Sequence, residues 1–213
     1  MNFYNDDNTL LITTKEEFKT SAGISEPNIV PTSTRSDLGL LETYKWLGWA
    51  KANNPSVVID LATDITPIMD IDLIAVYEKV SVYDNILDTK YLSFNTTSQT
   101  LSLNQDYKLS GKITLPTTIN NIPVLAIEGF WGDYDTKHTI THIFWEEENR
   151  ALTTINASCF RDSNSLIYYE QPDTCTTLYG QAFTGCRALG ANDNSVLTQI
   201  LEPVRYIKGA NIF

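Results

Sequence analysis

Apolar residues fall on alternate positions in several short runs of this chain, and rarely at sustained helical spacing. Tyr91-Leu92-Ser93-Phe94 and Leu101-Ser102-Leu103 alternate in this way, with the turn cluster Asn95-Thr96-Thr97-Ser98 between them, which predicts a β-hairpin. Val57-Val58-Ile59-Asp60-Leu61 reads as a strand. After a turn around Pro67, the run from Ile71 to Glu78 reads as another, with apolar residues at 71, 73, 75 and 77, and Ile74 and Val76 on the other face. Residues 35–53 are ambiguous. Leu38, Leu40, Leu41, Tyr44, Trp46, Leu47 and Trp49 have partial helical spacing, yet Gly39 and Gly48 interrupt it, and Tyr44–Trp49 also reads as an aromatic strand. Residues 1–34 are polar and mixed. Thr14-Lys15-Glu16-Glu17 fits a capping box for a short helix that Gly23 and Pro27 close, and Pro27 and Pro31 bracket an extended stretch, so this segment reads as an arm or linker.

The second half carries a repeat. Ile155, Ala157, Phe160 and Leu166 recur, all at one constant interval, as Leu178, Gly180, Phe183 and Leu189, and Ile143 precedes Leu166 by that same interval. A looser copy precedes them in Ile113-Thr114-Leu115-Pro116 with Val124, Ile127 and Phe130, and another follows in Leu197, Ile200, Pro203, Ile207 and Gly209. Each unit is a short strand, a turn with proline and a second short apolar element. One such unit is too small to bury its own apolar face, so stacked units are expected to share a core in which equivalent residues form ladders. The residues assigned to that core are Ile127, Phe130, Ile155, Phe160, Leu166, Leu178, Phe183, Cys186 and Leu189.

Composition narrows the function classes. Hydrophobic residues make up 42% and charged residues 19% of the 213, a folding composition rather than a disordered one, and 11 Tyr, 8 Phe and 4 Trp lean towards β structure. The formal charge of −11 repels phosphate backbones and no Lys/Arg cluster offsets it, so no nucleic-acid partner is expected. No stretch approaches the ~20 apolar residues that span a bilayer, so no membrane insertion is expected. Met1–Asp7 lacks the basic and apolar regions of an export signal, from which either a protein used without export or a fragment is expected. Cys159, Cys175 and Cys186 are odd in number and lack CxxC spacing, which favours buried small apolar residues over disulfides or a zinc site.

Two family resemblances follow from these residues. Trp46, Gly48, Trp49, Pro67, Ile68, Asp72, Leu73, Ala75, Val76 and Tyr77 resemble the second half of the Listeria–Bacteroides repeat, a small β-grasp-like extracellular module, over about 40 residues. Gly111–Pro116 with Ile122-Pro123-Val124, Ile127 and Phe130 is similar to the opening unit of BspA-like leucine-rich repeats. Ala182-Phe183-Thr184-Gly185-Cys186 with Leu189 matches that family's Ala-Phe-x-Gly-Cys-x-x-Leu signature, and Cys159-Phe160 with Ser163 and Leu166 is a degenerate copy. The resemblance implies that Cys186 packs in the repeat turn. The expected fold is therefore mainly β with short helices. An N-terminal arm or linker (1–34) and a small β-grasp-like module (35–80) precede an irregular leucine-rich-repeat solenoid (81–213). The last repeat stops in mid-register at Ile212-Phe213, which predicts a cap or a partner chain over the open edge.

Candidate chemistry is sparse. His138 and His142 have the i, i+4 spacing that suits a metal on a helix, with Glu146-Glu147-Glu148 nearby as further ligands. But Thr139-Ile140-Thr141 favour a strand, where both rings share one face farther apart, so a solvated strand edge and acidic loop is the competing reading. No GxSxG, P-loop, GxGxxG or HExxH occurs. Pairs such as Asp60 with Asp64 and Asp70 with Asp72 suit calcium or acid–base work, but read as solvated turns. No catalytic residue, metal or cofactor is assigned. Trp131, Tyr134, Phe144, Trp145, Tyr168 and Tyr169 lie in or beside the repeats, and a stripe of exposed aromatics there is a candidate surface for protein or glycan, weighed against core packing.

The expected function is non-enzymatic. Modules of gut Bacteroidetes and Firmicutes surface proteins without an export signal point to a bacteriophage virion component: a head fibre, tail fibre or decoration protein. It would contact other virion proteins through the N-terminal arm, form a homo-oligomer and bind a host surface protein or glycan. The alternative is a bacterial cell-surface adhesin or carbohydrate-binding protein. In either case an extended repeat surface multiplies weak contacts by avidity.

Overall fold

The computed structural model describes residues 1–14, 23–27, 29–35, 40–66, 69–129, 131, 138–146, 151–191 and 195–213. Among the described residues it is mainly β, with one short α-helix, and the chain divides into two compact units, Met1–Ser81 and Val82–Phe213. The capping box at Thr14–Glu17, the Pro67-Ile68 turn, Phe130 and Tyr134 fall wholly or partly outside the described residues.

The first unit is a five-stranded sheet. β1 (Asn2–Tyr4), β2 (Leu10–Thr13), β3 (Glu42–Lys51), β4 (Asn54–Ile59) and β5 (Asp72–Ser81) lie in the order β2-β1-β5-β3-β4. β1 runs parallel to β5, and the other pairs are antiparallel. The alternation read along Ile71–Glu78 holds: Leu73 and Ala75 are buried and Tyr77 packs against the same core. The mixed helix and strand signals around Trp46 have a physical cause. A bulge opposite Tyr77 and Val76 leaves Leu47 unpaired, and Gly48 takes φ +136 there. Trp46 and Trp49 therefore both turn inward, with ring centroids 5.7 Å apart, while Leu47 stays exposed.

The expectation of a separate arm over residues 1–34 is corrected here. β1 lies inside the sheet between β2 and β5, and Phe3 is buried with its ring 4.8 Å from that of Trp49. Met1 and Ile24 belong to the same core. A three-residue strand is too short to stand out in a polar segment, but its apolar residues have a sheet to join.

The second unit contains a β-solenoid of about three turns. β6 (Leu92–Asn95) and β7 (Thr100–Leu103) form the expected antiparallel hairpin. β8 (Ser110–Leu115) follows, then the small hairpin β9 (Thr118–Ile119) and β10 (Ile122–Pro123). Asn120 and Asn121 between them both have positive φ, as a two-residue hairpin loop of matching twist requires. Then come β11 (Ala126–Ile127), β12 (Thr139–Trp145), β13 (Thr154–Ile155), β14 (Tyr168–Tyr169), β15 (Thr177–Tyr179), α1 (Ser195–Leu201) and β16 (Tyr206–Lys208).

Two files of parallel strands make the walls. β7, β11, β13, β15 and β16 stack in one file; β8, β12 and β14 stack in the other. In the last turn α1 follows β15 where earlier turns have a strand of the second file, and buries Val196 and Ile200. The ladder of the first file is Leu101–Ile127–Ile155–Leu178–Ile207, matched residue for residue, and Ile113–Ile143–Tyr169 is that of the second. A third ladder runs through the turns. The Trp131 N–H donates to the Cys159 carbonyl (2.9 Å), the Phe160 N–H to Ala182 (2.7 Å) and the Phe183 N–H to Ile212 (2.7 Å). Phe160 and Phe183 stack at 4.9 Å, and Phe183 and Phe213 at 5.7 Å.

Among the expected core residues, Ile127, Ile155, Phe160, Leu166, Leu178, Phe183 and Leu189 are buried. Cys186 is half-buried, and its thiol donates to the Phe160 carbonyl of the preceding turn at 2.9 Å. Gly185 follows from the same stacking. Its φ is +81, and a Cβ there would collide with the carboxylate of Asp162 in the preceding turn.

Candidate functional site

The concave feature of the solenoid follows from its ladder. Leu101, Ile127, Ile155 and Leu178 point inward, so the residue after each one points outward. Those residues are Ser102, Glu128, Asn156 and Tyr179, with Lys208 following Ile207 in the last rung. One position further along, Gly129, Ala157 and Gly180 carry little or no side chain. The chain then turns: Gly129 has φ +84, Ser158 +58 and Gln181 +63. Outward polar residues beside a low floor make an open groove of about 540 Å³. Ser102, Glu128, Asn156, Ser158 and Tyr179 line it together with Gly129 and Ala157.

The groove is held from behind. The Glu128 N–H donates to the Leu101 carbonyl (2.9 Å), Asn156 to Ile127 (3.0 Å), Ser158 to Gly180 (3.2 Å) and Gly180 to Lys208 (2.8 Å). These amides are used in rung-to-rung bonds, which leaves the side chains as the polar groups of the groove. The Lys208 ammonium lies 5.3 Å from the centroid of the Tyr179 ring and 3.5 Å from its hydroxyl, which restrains the ring. Ser158 Oγ donates to Gln181 Oε1 at 3.4 Å on the next turn.

Of the candidate aromatic surface, Trp131, Phe144, Trp145 and Tyr169 are in the core, in line with the competing reading of core packing. Trp131 and Trp145 are each 1% exposed and Tyr169 is 0% exposed. Trp131 donates its Nε1–H to the Glu128 carbonyl at 2.8 Å and packs on Phe160, and Tyr169 packs against both Phe160 and Phe183. Tyr168 is half-buried beside Phe144 and His142, and Tyr134 lies outside the described residues. An outward-facing aromatic of the groove that sequence reasoning missed is Tyr179. Its signal was its place after Leu178 in the repeat.

The histidines do not share a face. A bulge at Thr141 shifts the register of β12 on β8 between Ile140 and His142. His138 is buried, and its Nδ1 accepts the Leu109 N–H at 3.2 Å. His142 is half-buried, and burial, then the nearby Lys112 cation, lowers its pKa to about 4. Glu146 accepts from the Thr117 N–H and hydroxyl (3.2 and 3.3 Å), and Glu147 and Glu148 lie outside the described residues. Among the described residues, no three His, Cys, Asp or Glu side chains come together to hold a metal ion.

The carboxylate pairs have local duties. Asp64 accepts the Asp60 N–H (2.7 Å), Asp60 accepts the Ala62 N–H (2.8 Å), and Asp72 accepts from the Asn2 amide (2.8 Å). Asp70 and Asp72 border a smaller cleft of about 360 Å³ in the first unit. Burial pushes the Cys159 thiol up and that of Cys175 up to about 12, the reverse of what activates a cysteine nucleophile. Compared with family models, curated proteins and solved structures, the chain gives no match.

Proposed function

We propose that this chain is a non-enzymatic recognition protein of a bacteriophage virion, a fibre or decoration component that attaches to its target through the solenoid. The observation that carries the recognition role is the groove, built by equivalent positions of successive turns and backed by a fixed ladder. A site whose walls are rungs of a solenoid is preorganised, and ordering costs on binding are small. The virion setting rests on the sequence, through its resemblance to surface-type modules. It gains no support from an N-terminal docking arm, because the described start of the chain is part of a sheet.

The finer fold reading belongs to this proposal. The solenoid is of the BspA-like leucine-rich-repeat kind, supported by the Ala182–Cys186 signature at a turn where Gly185 has no room for a side chain and Cys186 bonds to the turn before. The first unit is a β-grasp-like module, supported by the order β2-β1-β5-β3-β4 with β1 parallel to β5, and it includes β1 and β2 as well as residues 35–80. A second reading keeps the recognition role and places it on a bacterial cell surface; the same signature favours it.

The test is attachment. Fluorescently labelled 213-residue protein is added to intact bacterial cells, and its oligomeric mass is measured by light scattering. Saturable attachment, displaced by unlabelled protein, is expected, with a mass of several chains for a fibre. No saturable attachment to any cell type overturns the recognition role. A monomer near 24.0 kDa counts against the self-assembled fibre.

A further inference from the structure

We infer that the groove across β7, β11, β13 and β15 binds an unbranched chain of neutral sugars running along the solenoid axis. The inference rests on the recognition role proposed above and specifies its ligand.

The chemistry of the lining selects this class. A pyranose has an apolar C–H face and a rim of hydroxyls that both donate and accept. The groove has the complementary arrangement. Its floor is carbon, from Gly129, Ala157 and the Tyr179 ring, and the negative face of the ring attracts weakly positive C–H groups. Its rim has Ser102 and Ser158 hydroxyls, the Glu128 carboxylate as acceptor and the Asn156 amide as donor and acceptor. These groups come from successive rungs of one parallel ladder, about 4.8 Å apart. A ligand lying along the axis meets a hydroxyl, a carboxylate, an amide and a ring at successive steps.

Peptide ligands fit less well. Strand addition needs free backbone at an edge, and the amides of Glu128, Asn156, Ser158 and Gly180 are already bonded within the solenoid. Side-chain capture needs a deep apolar pocket, and the rings that would build one are in the core. Anionic glycans are disfavoured by Glu128 in the groove and by the charge of −11. Lys208 is a positioning residue. It steadies the Tyr179 ring from the neighbouring turn.

The test uses the full chain and soluble hexasaccharides of glucose, mannose and N-acetylglucosamine, with a sulfated hexasaccharide as control. Calorimetry measures binding, and circular dichroism checks the fold. Binding to at least one neutral hexasaccharide is expected. Tyr179→Ala weakens it tenfold or more, Tyr179→Phe changes it less than threefold, and Glu128→Gln weakens it several-fold. Tighter binding to the sulfated sugar overturns the neutral assignment, and neutral-sugar binding that ignores Tyr179→Ala overturns the site. If no hexasaccharide binds while attachment to cells persists and protease treatment of the cells removes it, the ligand is a protein: the saccharide inference falls and the recognition role stands. Loss of both assays removes both.

Discussion

The inner turns of the solenoid and its last turn use the same residue types at equivalent positions with different results. Leu178 is 0% exposed and Ile207, its partner in the next rung, is 56% exposed; Phe183 is 1% exposed and Phe213, stacked on it, 45%. An inner residue has a neighbour above and below, and a residue of the last described turn has one. Burial here comes from the number of adjacent turns more than from side-chain chemistry, as expected of a quasi-one-dimensional fold.

Matched substitutions test this contrast. Phe160→Ala, in the middle of the stack, should cost about 3–5 kcal/mol in urea unfolding of the second unit, while Phe213→Ala should cost less than about 1 kcal/mol. Leu178→Ala should cost about 2–5 kcal/mol, against about 0.5 kcal/mol or less for Ile207→Ala. Equal effects within either pair would refute the neighbour-count explanation. Gly185→Ala should destabilise by more than about 1 kcal/mol, since it adds strain at positive φ and a clash with Asp162. The same change at Gly209, where φ is +117 and a Cβ would crowd Gly180, should be milder if the last turn can shift.

A smaller effect concerns pH. His142 takes up its proton at about 4 in the folded chain and at about 6.5 when unfolded. The unfolded state binds more protons between these values, so this residue's contribution to stability is full above about pH 6.5 and is lost as pH falls towards 4. Subtracting the pH profile of His142→Gln from that of the parent chain should isolate a slope in that window. An unchanged slope would show that the ring is hydrated in the folded protein.

The ladder was legible because equivalent residues at 155 and 178 and at 160 and 183 keep both identity class and spacing. The hairpin of β6 and β7 was legible because alternation and turn residues agree. β1 was not, since its partner strand β5 is far along the chain and so short a strand leaves little pattern. The aromatic residues were ambiguous for a different reason. Ile143, Phe144 and Trp145 are buried in succession in β12, so alternation does not tell inside from outside there. The groove left no self-similar trace: Ser102, Glu128, Asn156 and Tyr179 occupy equivalent places and share no chemistry.

The unequal lengths of the turns have a mechanical meaning. The turn from Ile155 to Leu178 is shorter than the one before it, from Ile127 to Ile155, and the one after it, from Leu178 to Ile207, yet the rungs stay in register. A tether pulling on the C-terminal end would strip such a structure one turn at a time. Each detached turn would release about 80–100 Å of slack chain. Under load the solenoid would lengthen in discrete yields, one for each turn detached.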